Sequence, residues 1–155
     1  MTQARTVTRW AWALLLSVVT ACAPRAPGSA ARDGATSATP DLIGPVWQLT
    51  AYSDARGNLV AMLPDTQSTA TFGSTGFVTG SAGCSEYSTV FQTTAMTLSF
   101  IGPITTTHQM CAQPVMDQEH AYLAALARTA TYRFEGSGQL VLIQSDGSTL
   151  AQYSH

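Results

Sequence analysis

The stretch TYRFEGSGQLVLIQSDGSTLAQY, residues 131–153, decides the fold class. Thr131–Phe134, Gln139–Gln144 and Thr149–Tyr153 are rich in β-branched, aromatic and aliphatic residues. They are separated by Gly136-Ser137-Gly138 and by Asp146-Gly147. Gly and Asp-Gly punctuation between short apolar runs predicts three antiparallel strands in a meander.

Upstream, Val46–Tyr52 alternates Trp47, Leu49 and Ala51 against Val46, Gln48, Thr50 and Tyr52, a strand period with Trp47 in the core. Ala70–Phe72 and Phe77–Thr79 flank Gly73-Ser74-Thr75-Gly76, which predicts a hairpin. Tyr87–Phe91 and Met96–Phe100 add two strands. Between these and the meander, Pro114–Arg128 predicts the one helix. Pro114 suits the first helical position, Asp117 and Glu119 the positive end and Arg128 the negative end. Val115, Met116, Glu119, Tyr122, Leu123 and Leu126 recur at three- and four-residue spacing, so that face is expected to pack on the sheet. The expected architecture is α+β: a curved antiparallel sheet of six to eight short strands, half-closed like a barrel around one packed helix.

The domain so defined runs from 45 to 155, a length suited to one core. It carries three bases (Arg56, Arg128, Arg133) against seven acids (Asp54, Asp65, Glu86, Asp117, Glu119, Glu135, Asp146), a net of minus four, and the whole chain has no lysine. Nucleic-acid binding needs a basic stripe to displace counterions, and a grip on anionic lipid needs a polybasic segment; both are absent from this composition.

Ahead of the domain, Arg5 and Arg9 precede the apolar run Trp10–Val19, about ten residues long and so the size of a signal-peptide core. The run ends in Val19-Thr20-Ala21-Cys22. That tetrad resembles a bacterial lipobox, with small side chains beside the cut and a thiol to carry acyl chains. Residues 1–21 are therefore expected to be a lipoprotein signal peptide and Cys22 the lipid attachment. Residue 23 is Ala rather than Asp, which favours an outer-membrane destination facing the periplasm over retention at the inner membrane, or the outer face of the cytoplasmic membrane where there is only one membrane. Residues 22–44 are rich in Ala, Pro, Gly, Ser and Thr with no apolar period. Such a segment reads as a flexible tether, with an r.m.s. reach of about 25 Å.

With Cys22 acylated, Cys84 and Cys111 remain as a pair in an oxidising compartment, and a disulfide is the first expectation. Two alternatives stand beside it. Cys84, His108, Cys111 and His120 could supply a nitrogen–sulfur metal site, although there is no C-x-x-C. A Cys–His pair could be nucleophilic, although no third orienting residue follows from the spacing.

In order along the chain stand Trp47-Gln48-Leu49, Ala70-Thr71-Phe72, Gly76-x-Val78-x-Gly80, Ala82-Gly83-Cys84, Tyr87, Thr107-x-x-Met110-Cys111 and Met116-x-x-Glu119. Leu126, Tyr132, Leu140-x-Leu142 and Asp146-Gly147 follow. The ordered set resembles the META domain, the family of heat-shock-inducible, HslJ-like envelope lipoproteins, over Val46–Tyr153. Ser85, Ser88 and His108 depart from the family's usual residues. The resemblance implies a non-catalytic envelope protein supporting tolerance of heat or antibiotic stress through a partner, with no cofactor. It also suggests an alternative: a pilot-like carrier or chaperone enclosing a lipid tail or small hydrophobe.

The motif residues have structural readings of their own. Gly76, Gly80 and Gly83 serve turns or close backbone approach rather than a phosphate loop, which would want a helix start and a lysine. Tyr87 is expected to pack with its hydroxyl at the rim. Glu119 faces the sheet and needs a partner, either the helix start or a strand backbone. Thr107 and Met110 belong to the structural motif, and His155 is expected to be solvated. Gly73-Ser74-Thr75-Gly76 lacks the spacing of a nucleophile elbow, and no pair of carboxylates falls in an obvious catalytic frame. A monomer without enzymatic activity is the expectation. Its contacts would be a membrane, through the lipid, and an envelope protein or a hydrophobic ligand.

Overall fold

The computed structural model describes residues 41–136 and 138–155; the signal peptide, Cys22 and most of the expected tether lie outside them. Ten strands and one helix follow in the order β1 (Val46–Ser53), β2 (Leu59–Ala61), β3 (Thr69–Phe72), β4 (Phe77–Ser81), β5 (Glu86–Thr94), β6 (Thr97–Phe100), β7 (Thr105–Thr106), α1 (Gln113–Ala127), β8 (Thr129–Glu135), β9 (Gln139–Gln144) and β10 (Thr149–Ser154). All pairings between these strands are antiparallel. The α+β expectation holds, as do the 73–76 hairpin and the C-terminal meander β8–β9–β10.

Strand β1 closes the sheet into a ring. Its first half pairs with β3, its second half with β2, and its other edge with β10. The sequential pairings β3–β4–β5–β6 and β8–β9–β10 complete the circuit through a β6–β8 contact of one residue pair, Thr97 with Thr131. The two strands not expected from sequence are the shortest, β2 with three residues and β7 with two. Runs that short carry no period to read.

Bulges explain where simple alternation fails. The β1–β10 register shifts between Leu49 and Ala51, so Tyr52 turns inward and is buried while Ala51 is half-buried, the reverse of the alternation read from sequence. Inside the ring, Trp47, Phe72, Val78, Leu98, Leu140, Leu142 and Tyr153 are completely buried. The packed region reaches back to Leu42, within the stretch read as tether. Leu42 is buried and its carbonyl accepts the Trp47 Nε1–H at 3.0 Å.

Helix α1 starts with a proline in its first turn and ends at Arg128, whose backbone N–H reaches the Ala125 and Leu126 carbonyls. It packs on β1, β10 and β6. Its buried residues are Gln118, Glu119, Tyr122, Ala125 and Leu126. The face is thus rotated from the expected one: Val115, Met116 and Leu123 are only half-buried, and Gln118 enters with its amide oxygen and nitrogen each hydrogen-bonded. Asp117 and Glu119 both fall beyond the first turn, so neither complements the helix start as expected. No helix among the described residues is long and apolar enough to cross a membrane.

Candidate functional site

The motif residues converge where the first half of α1 meets three loops. Cys84, in the β4–β5 connection, and Cys111, just before α1, form a disulfide across a separation of 27 residues, with their Cα atoms 6.0 Å apart. Both sulfurs are consumed, so the metal and nucleophile alternatives lose their thiolates. His108 lies nearby, with φ +53° and its Nδ1 3.1 Å from the Thr106 hydroxyl, while His120 sits on another face of α1.

Beside the bridge, the buried Glu119 accepts the Ser85 N–H at 2.6 Å, and the Ser85 hydroxyl accepts the Gln109 N–H at 3.1 Å. Glu119 thus bonds the backbone of the β4–β5 loop, one residue before β5, rather than the helix start or a strand as expected. Thr107 exchanges bonds with Glu86 in both directions: its N–H donates to the Glu86 carbonyl and its Oγ1 accepts the Glu86 N–H. Gln118 takes the Leu63 N–H at 2.8 Å and donates to Thr66 Oγ1 at 3.1 Å. Gly83, at φ +105°, lies so close that a Cβ there would come 3.1 Å from the Gln118 amide and 3.3 Å from the Ser68 hydroxyl. Among the described residues that buried hydroxyl has no hydrogen-bond partner. Gly80 allows β4 to press against β3, since a Cβ would overlap the Thr69 carbonyl oxygen.

That same carbonyl ends a buried chain of phenols. The Tyr87 hydroxyl donates to Thr69 O at 3.0 Å, stands 2.9 Å from the Tyr122 hydroxyl, and Tyr122 stands 3.1 Å from Tyr153. Each phenol has one proton, so the direction is fixed: Tyr153 donates to Tyr122, Tyr122 to Tyr87, and Tyr87 to the backbone. The Tyr87 hydroxyl is therefore inside the ring rather than at its rim, because Thr69 and Tyr122 satisfy it there. Burial, reinforced by the neighbouring phenols, pushes all three well above the ordinary tyrosine range. Sequence reading missed the chain because β5, α1 and β10 each contribute one tyrosine. Two other expectations meet different surroundings. Met110 is 90% exposed, so its side chain contributes little packing, and the exposed His155 lies on Trp47 with ring centroids 4.8 Å apart.

A groove of about 470 Å³ runs along the outer side of α1, lined by Asp117, His120, Ala121, Ala124 and Arg128 and, from the β1–β2 turn, Asp54 and Ala55. Asp54 Oδ1 accepts the Arg56 and Asn58 N–H groups, both at 2.8 Å. These bonds, the Asn58 one foremost, hold its carboxyl below the usual range. Among the described residues, no three His, Cys, Asp or Glu side chains are grouped to hold a metal.

A disulfide-pinned helix set against a ring of antiparallel strands, with its polar motif residues spent on loop backbone, defines a small α+β domain. The META domain model matches residues 40–155, and the chain belongs to that family. The META domain is not a known enzyme family. A solved protein from Burkholderia xenovorans is 28% identical, covers 85% of this chain and 99% of its own, and superimposes with a TM-score of 0.57. A DUF4847 family protein from Bacteroides vulgatus, 18% identical over 74% of this chain and 94% of its own, shares the fold with a TM-score of 0.52. No curated protein matches the chain in sequence.

Proposed function

We propose that the protein is a non-catalytic, lipid-anchored envelope component that supports tolerance of heat or antibiotic stress by binding a partner. The filled ring carries the preference for partner binding over the carrier alternative. Trp47, Tyr122, Tyr153, Phe72 and Leu98 occupy the interior that a lipid tail would need, and the groove beside α1 lies on the outside. The lipobox-like Val19–Cys22 supports the anchor.

Fractionation of cells expressing the full chain and Cys22→Ala tests the anchor: the variant is expected in the soluble fraction, and continued membrane association would refute it. Survival of a deletion strain under heat and antibiotic challenge, complemented by the wild-type chain or Cys22→Ala, tests the role. Unchanged survival on deletion would remove the stress reading. Native mass spectrometry is expected to return the bare oxidised domain, whereas an added lipid mass would restore the carrier.

A further inference from the structure

The groove beside α1 has the charge pattern of a site for a molecule with two opposite ends. Asp117, His120, Ala121, Ala124 and Arg128 recur at three- and four-residue steps, so they form one stripe of the helix. Eleven positions separate Asp117 from Arg128, about 16 Å along the axis at the helical rise. Asp54, from the facing turn, also lines the groove.

None of these three charged groups has an ion-pair partner among the described residues, where the one ion pair is Arg133–Glu135. Each is instead held in position by hydrogen bonds within its own segment. Asp54 Oδ1 is fixed by the Arg56 and Asn58 N–H groups and its Oδ2 by the Asn58 amide at 3.3 Å, Asp117 Oδ1 by the Gln113 amide at 2.7 Å, and Arg128 Nε by the Ala124 carbonyl at 3.3 Å; the Arg56 charge acts on Asp54, and the Arg128 charge on Asp146, at a distance. The floor consists of the methyl groups of Ala55, Ala121 and Ala124. These small side chains leave a volume within the range of small-ligand sites, about 300 to 1,000 Å³.

A simple anion would meet the two carboxylates, and a simple cation the guanidinium. A free amino acid carries both charges but only one residue apart. We propose that the groove binds a short peptide with free ends and small apolar side chains. Its ammonium would sit at Asp117 and Asp54, its carboxylate at Arg128 and its side chains on the alanine floor. At about 3.3 to 3.6 Å per extended residue, and with the acidic and arginine side chains reaching inward, about three residues fit. His120 stands between the ends and offers a ring nitrogen to the peptide backbone. This site goes beyond the partner-binding function.

Isothermal titration of the full chain in non-ionic detergent with trialanine, N-acetyl-trialanine and trialanine amide tests the assignment. Trialanine is expected to bind saturably, and blocking either end to weaken it by about tenfold. Arg128→Gln should bind the acid and the amide equally, and Asp117→Asn should reduce the preference for the free amine, which Asp54 still serves. Ala124→Leu, at an exposed helix position, keeps every charge and fills the floor, so it should abolish binding without lowering the melting temperature. No trialanine binding, indifference to blocked ends, or an acid preference surviving in Arg128→Gln would each overturn the proposal.

Discussion

Replacing Tyr122 by Phe should cost far more than replacing Tyr153, although the two changes remove the same atom from equally buried rings. The difference follows from the direction of the phenol chain. Tyr87 donates to Thr69 O, so Tyr122 must donate to Tyr87 and Tyr153 to Tyr122. Tyr122→Phe deletes both inner bonds and leaves the Tyr153 proton buried without an acceptor. Two bonds at about 1 kcal/mol net each, plus about 1 to 2 kcal/mol for the orphaned donor, give a loss of about 3 to 4 kcal/mol. Tyr153→Phe deletes one bond and strands no donor, since Tyr122 still donates to Tyr87, so its cost is about 1 kcal/mol. The volume lost is the same in both and cancels in the comparison. Urea unfolding of both variants with the disulfide intact, followed by circular dichroism, gives the two free energies directly. Equal losses, or a larger loss for Tyr153→Phe, would refute the assigned direction.

Three further outcomes are expected. Gly80→Ala puts a methyl group into the Thr69 carbonyl and should cost about 3 kcal/mol. Gly57→Ala, at φ +84° in open space, should cost only the left-handed backbone penalty of about 1 to 2 kcal/mol, and the reverse order in urea melts would contradict the close β3–β4 approach. Cys84→Ala or Cys111→Ala should each lose about 3 to 4 kcal/mol, the loop entropy of a 27-residue bridge. A reductant should then destabilise the wild type but neither variant, and a wild type indifferent to reductant would count against the bridge. Stability should also fall at alkaline pH. The three buried phenols stay protonated in the folded chain beyond pH 10, where exposed phenols ionise, so the native state there binds more protons than the unfolded one. Their contribution is complete below about pH 10 and declines above it, by up to about 4 kcal/mol per pH unit for three groups. Urea midpoints that stay level from pH 9 to 11 would contradict the buried chain.

Local signals reported local structure well. Asp146-Gly147 and the 73–76 turn placed their hairpins, and Pro114 placed the helix start within one residue, because each depends on backbone preferences carried by a few neighbouring residues. Closure of the ring was not readable in that way, since it rests on β1 meeting β3 and β10 across long separations and on bulges that reverse a face at Tyr52. Nothing local marks Gln118 for the core; its burial depends on Leu63 and Thr66, more than fifty positions earlier. The disulfide needed only the count of cysteines and the expected compartment.

Most of the residues that carry the family resemblance do one kind of work. Gly80 and Gly83 admit close contacts, Cys84 and Cys111 bridge loops, Thr107 and Glu119 bond loop backbone, and Trp47 and Tyr87 fill the ring. A group fully spent on holding the scaffold is a poor candidate for contact with a ligand, which needs accessible charge or surface. The groove beside α1 is built from the complementary set: Asp117, His120 and Arg128 are exposed, Asp54 is half-buried, and none belongs to the motif. Substitutions in that set should therefore change binding and leave melting nearly unaltered, while substitutions in the motif should lower melting first. A motif variant with wild-type stability and lost peptide binding would break this division of labour. Met110 is the position where that is most readily sought, because its side chain is 90% exposed next to Cys111 of the disulfide.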